Sequence, residues 1–117
     1  MSETILFEQQ GSIGTLTFNR PAVYNAMNPD LVLALRDQLM ALQANAALRV
    51  LVIKGAGKAF LAGGDVGLFH QRRETIADEV KQMGDALHDG IIALRTLPFP
   101  VIAQIHGAVA GAGLSVA

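Results

Sequence analysis

The sequence predicts an α/β fold in which parallel central strands alternate with amphipathic helices, and three observations carry that prediction. Arg49-Val50-Leu51-Val52-Ile53-Lys54 and Pro100-Val101-Ile102-Ala103-Gln104-Ile105 are short, nearly all-apolar runs, the composition expected of strands covered on both faces of a parallel sheet. Between them Ile76, Val80, Met83, Leu87, Ile91 and Leu94 recur at helical spacing. Strand, helix and strand then form a parallel crossover that should be right-handed. Both apolar runs lead into glycine-rich loops, at the end of the sheet where open α/β folds hold their ligands.

The elements follow in chain order. Thr4 to Glu8 and Thr15 to Phe18 have strand composition, with Leu16 and Phe18 alternating with threonines, and the turn residues Gly11 to Gly14 between them make a hairpin with one buried face. The segment Asn19 to Met27 is irregular because of Pro21. Asn28-Pro29-Asp30 combines an N-cap, a proline at the first helical position and an acid in the first turn, so a helix should start there. Its Leu31, Leu35, Leu39 and Leu42 form one buried stripe, as far as about Ala44. Gly55 to Asp65 reads as a loop. In the second helix Gly84 and Gly90 are weak points or close-packing sites, and Pro98 and Pro100 end it. The chain stops at Ala117, just after Gly113-Leu114-Ser115-Val116 opens what reads as the first turn of another helix. It is therefore expected to be the N-terminal part of one domain.

Composition narrows the function. With 51% hydrophobic and 16% charged residues, 117 residues suffice for a globular core. No run is apolar for long enough to span a membrane, and Met-Ser-Glu-Thr is not the start of a signal peptide, so a cytoplasmic protein is expected. The absence of cysteine excludes disulfides, thiolate metal sites and a thiol nucleophile. Nine basic against ten acidic residues create no field for nucleic acid or an anionic membrane. A small-molecule partner is the remaining expectation.

The chemistry is expected in the two loops, Gly55-Ala56-Gly57-Lys58-Ala59-Phe60-Leu61-Ala62-Gly63-Gly64-Asp65 and His106-Gly107-Ala108-Val109-Ala110-Gly111-Ala112-Gly113. Small residues let a ligand approach the backbone, and free N–H groups at a helix start can hold a negative oxygen. Phosphate cradles fail on spacing. A P-loop needs glycine where Val52 stands and a hydroxyl where Ala59 stands, and a dinucleotide fingerprint on Gly111 and Gly113 needs a small residue at Val116.

Three segments, in this order and spacing, resemble the crotonase (enoyl-CoA hydratase/isomerase) superfamily: Leu16 to Pro21 with Asn25-Ala26-Met27, Val52 to Gly55 through Phe60 to Asp65, and Pro100 to Ala103 through Gly107 to Gly113. The resemblance covers almost the whole chain. It implies a crotonase-like spiral of ββα units, here residues 1–117 of a domain whose C-terminal half is absent. It also implies an acyl-CoA thioester as partner, coenzyme A entering as part of the substrate with no separate cofactor or metal, and a homotrimer or hexamer at full length. By the family pattern Gly64 and Ala112 donate backbone N–H groups to the thioester oxygen. Ala62, Gly64, Asp65, Val66 and Gly67 line the thioester arm, and Asn25, Ala26 and Met27 border the adenine end.

The departure from the pattern is Ser115, which stands where hydratases of the family carry a glutamate. The resemblance then implies an isomerase or hydratase-like enzyme whose acid lies beyond Ala117, or a non-catalytic acyl-CoA-binding or scaffold paralogue. The other candidates each have a plainer reading. Asp65 could cap the helix that follows, and His106 could make a structural hydrogen bond. His70 and His88 are expected in solvent, while Lys58, Arg72 and Arg73 could meet coenzyme A phosphates or do nothing specific. A chain of this extent is expected to expose apolar helix faces, to be inactive alone, and to aggregate or bind other chains.

Overall fold

The computed structural model describes residues 3–65, 70, 73–74, 76–110 and 116–117. Strands β1 (Ile5–Gln10) and β2 (Ile13–Phe18) form an antiparallel hairpin closed by Gly11 and Ser12, with Gly11 at φ 60°. The hairpin is longer than the composition suggested, since Gly14 is accommodated inside β2 opposite Gln9. After a short 3-10 turn at Pro21–Val23, helix α1 spans Pro29–Leu42. Its start is the expected one, because Asn28 Oδ1 accepts the Leu31 N–H at 2.9 Å and Pro29 occupies the first turn. The stripe Leu31, Leu35, Leu39 and Leu42 is buried, joined by Val32.

Strand β3 (Val50–Gly55) then pairs in parallel with β2, and β5 (Val101–Ala103) pairs in parallel with β3, so the larger sheet runs β1-β2-β3-β5. Helix α2 (Ile76–Arg95) makes the crossover. Two short strands interrupt the presumed loops. β4 (Ala59–Leu61) and β6 (Ala108–Val109) pair in parallel as a second sheet. The chain is thus wound as successive strand, strand, helix units, the spiral expected.

One side of the larger sheet carries the core. Leu16, Phe18, Leu51 and Ile53 pack there with the buried stripe of α1, and Phe18 meets Phe60 of β4 edge-on at 5.4 Å between ring centroids, which ties the two sheets together. The other side is only half covered, since Val50, Val52 and Lys54 of β3 alternate with buried neighbours. The expectation of a strand covered on both faces is corrected accordingly. β5 is corrected too. It is shorter than the apolar run, it lies at the sheet edge among the described residues, and Ile102 and Ile105 are half exposed.

Met83, Leu87 and Leu94 of the apolar period that signalled α2 are partly buried and pack against the core. Among the described residues the buried positions of α2 are Ala86, Gly90 and Ala93, small residues at i, i+4 and i+7, and a Cβ on Gly90 would lie 3.5 Å from Arg36 Cα of α1. Gly90 is therefore a close-packing site. Val80, by contrast, is 45% exposed, and Met83 and Leu87 are only partly buried. Among the described residues no helix is long and apolar enough to cross a membrane.

Candidate functional site

The first glycine-rich segment is anchored from below by a buried side chain. Asn25, at φ 60° and fully buried, lies in a left-handed conformation that asparagine tolerates better than most residues. Its Nδ2 donates to the carbonyls of Ala56, Ala59 and Phe60 at 3.0, 2.8 and 3.2 Å, and its Oδ1 accepts the Arg20 N–H at 2.7 Å. Those carbonyls belong to the turn after β3 and to the first two residues of β4, and they converge on the one side chain. A side chain at Gly55 would collide with two of them and with Asn25 Nδ2, so only glycine fits. Asn25 was expected to border a ligand's adenine end, but its buried side chain is fully engaged with the backbone.

The arm beyond β4 is held by Met27. The Met27 N–H donates to Gly63 O at 2.6 Å, and the Asp65 N–H donates to Met27 O at 2.9 Å, a parallel bridge between Met27 and Gly64. No peptide bond among the described residues is cis. In a trans peptide the carbonyl and the following N–H point in opposite directions. Since Gly63 O faces Met27, the Gly64 N–H of the same peptide faces away from it. Among the described residues that N–H has no hydrogen-bond partner, and Gly64 is exposed. Gly63 makes the orientation accessible, because its φ of 96° is one that a residue with a side chain rarely adopts.

Arg20 fixes the same arm from the side. Its guanidinium donates to Ala26 O and to Asp65 Oδ2, the latter at 3.1 Å, with both side chains of the ion pair mostly buried. Ala26 and Asp65, two of the expected substrate-lining residues, are thereby brought together. Ala62 is half buried just after β4. Val66, Gly67 and Ala112 lie outside the described residues, as do Ser115, Arg72 and the helix start that Asp65 was expected to cap.

The second glycine-rich segment is laid beside the first. Ala59 and Leu61 register with Ala108 and Val109, and the Ala110 N–H donates to Leu61 O at 3.3 Å. Gly107, at φ 62°, sits so tightly against Lys58 that a Cβ would strike its carbonyl. His106 Nε2 is 2.7 Å from Gly57 O and donates to it, the structural hydrogen bond expected of this histidine. His70 and His88 are exposed, also as expected, and Lys58 and Arg73 are exposed. Beside Gly64 the surface is apolar: Met27 and Val32 with Val80, Met83, Gly84 and Leu87 of α2 line a cavity of about 150 Å³.

A free amide beside an apolar cavity, with a second glycine-rich segment running alongside, suits a ligand that has one polar, electron-accepting atom and a hydrocarbon part. Comparison with known proteins shows the family. The family model described as Enoyl-CoA hydratase/isomerase matches residues 13–117. The crotonyl-CoA hydratase of Syntrophomonas wolfei is 32% identical over 116 residues, covering 98% of this chain and 44% of the relative. The trans-2-decenoyl-(acyl-carrier-protein) isomerase of Streptococcus mutans is 32% identical over 116 residues, covering 97% and 43%. The crystal structure of an enoyl-CoA hydratase/carnithine racemase from Magnetospirillum magneticum superposes with a TM-score of 0.88 at 32% identity, over 100% of this chain and 44% of that one. The chain thus spans less than half the length of the proteins it matches.

Proposed function

The chain belongs to the enoyl-CoA hydratase/isomerase family, and on that premise we propose that it supplies the oxyanion-stabilising half of an acyl-CoA enzyme, acting as an enoyl-CoA isomerase or a hydratase-like relative. The observation that carries the proposal is the Gly64 N–H, turned away from Met27 by the hydrogen bond its own peptide makes through Gly63 O. Moving a proton next to a thioester, or adding water across the conjugated double bond, drives negative charge onto the carbonyl oxygen. An amide fixed in advance stabilises that charge without reorganising as it forms, and one such donor contributes about 10²- to 10³-fold in kcat.

The second donor in this account is the Ala112 amide. Pairing of β4 with β6 supports it, since Leu61 registers with Val109 and each donor stands three residues further along the sequence, Gly64 after Leu61 and Ala112 after Val109. The same account has Asp65 to Gly67 along the thioester arm, an acid or base contributed from outside these 117 residues, and assembly as a homotrimer or hexamer. Ser115 in the place of the hydratase glutamate favours isomerisation over hydration, because a serine hydroxyl does not transfer protons near neutral pH without an activating partner. It also supports a second reading, a non-catalytic acyl-CoA-binding paralogue.

The experiment is turnover by the full natural protein that carries this chain, following loss of enoyl thioester absorbance and migration of the double bond. Gly64→Pro removes that N–H and neither of the groups that bond Met27, Gly63 O and the Asp65 N–H, so kcat should fall about 10²- to 10³-fold. Unchanged kcat in that variant would overturn the assignment of Gly64. Binding of acyl-CoA without turnover at any chain length would establish the second reading.

A further inference from the structure

Gly84 is the one glycine of α2 whose presence its packing does not account for. A Cβ there would meet nothing within 4 Å, whereas a Cβ on Gly90, six residues on, would meet the α1 backbone at 3.5 Å. Nor does the backbone need it, since Gly84 lies within a regular helix and has no positive φ. Glycine in a helix interior is destabilising relative to alanine. What the missing side chain leaves is space. Gly84 lines the same cavity as Gly64, and among the described residues the rest of the lining is apolar: Met27, Val32, Val80, Met83 and Leu87.

We propose that Gly84 is a specificity-determining residue, keeping open the cavity beside the Gly64 amide for the hydrocarbon part of the acyl group. The inference rests on the reading of Gly64 as the amide that receives the thioester oxygen. With that oxygen held at Gly64, the acyl chain leaves the carbonyl beside the apolar wall, and the cavity is the apolar space there. Its 150 Å³ has room for about five groups the size of a water molecule or a methylene. Met83 and Leu87, only partly buried, gain cover when that space is filled. A side chain at position 84 would project from the helix into this volume and shorten or narrow the acyl group accepted.

The test uses the full natural protein with Gly84→Ala and Gly84→Leu, enoyl-CoA substrates of four and ten carbons, thermal unfolding, and calorimetric binding of the same thioesters. The expected result is a ratio of kcat/KM for ten over four carbons that falls at least tenfold in Gly84→Leu and to a smaller extent in Gly84→Ala, with the Tm of Gly84→Ala equal to or above that of the wild type. A purely structural glycine would give the opposite pattern, a lowered Tm and an unchanged ratio, and that result overturns the inference. Should Gly84→Leu fail to fold, Gly84→Ala decides alone, by the same ratio. If the wild type turns over and the ratio is unmoved in both variants, the role of Gly84 is wrong and the reading of Gly64 stands. If the wild type neither turns over nor binds either thioester, the reading of Gly64 falls and takes this inference with it.

Discussion

At the scale of single residues, the site rests on atoms that make no contact with any ligand. Asn25 satisfies three carbonyls and one amide at once, so its removal leaves a set of buried backbone groups unpaired. Asn25→Ala should cost about 2–4 kcal/mol in urea unfolding, from the lost hydrogen bonds and from placing alanine in a left-handed conformation. Asn25→Asp keeps the shape but turns a negative oxygen toward those carbonyls, and should cost more. If both variants unfold at the wild-type midpoint, the anchoring role assigned to Asn25 is wrong. The sequence displayed Asn25 as part of a motif but not this use of it, because its three carbonyl partners lie 31 to 35 residues away in the chain. Arg20 and Asp65 were hidden for the same reason, being 45 positions apart. A periodicity argument sees only neighbours on one element.

At the scale of elements, local signals that are strong on their own could be read directly. The hairpin, the capped start of α1 and its leucine stripe, β3, and the parallel crossover to β5 follow from alternation, capping chemistry and apolar runs, and they are present. β4 and β6 escaped because each is two or three residues long, flanked by glycines, and stabilised only by pairing with the other. Helix α2 could be read from its apolar period, and it is present. Met83, Leu87 and Leu94 of its apolar period do pack against the core, while its most buried described positions are the small residues Ala86, Gly90 and Ala93. The close approach at Gly90 has a measurable consequence. Gly90→Ala should be neutral or stabilising by up to about 1 kcal/mol, while Gly90→Val, whose branches reach the Arg36 backbone, should lose about 1–3 kcal/mol. Equal stability of the two variants would mean that the helices are free to separate at this point.

At the scale of the whole molecule, the winding of the chain sets two glycine-rich segments side by side at one end of the parallel strands. Phe18 against Phe60 joins the sheets, and His106 against Gly57 joins the segments, so the Gly64 arm is held from the core, from Met27 and from Arg20. A donor for developing charge has to be rigid before the charge appears. The candidate site was legible in outline, because the glycine clusters and their spacing pointed to it, but the direction of the Gly64 amide was not, since it depends on which partner takes Gly63 O. That direction is the central claim. It is tested most directly by the carbonyl stretching frequency of an enoyl thioester bound to the full natural protein, compared between the wild type and Gly64→Pro. The account predicts a marked shift to lower frequency in the wild type that is largely lost in the variant, while an identical shift in both would contradict it.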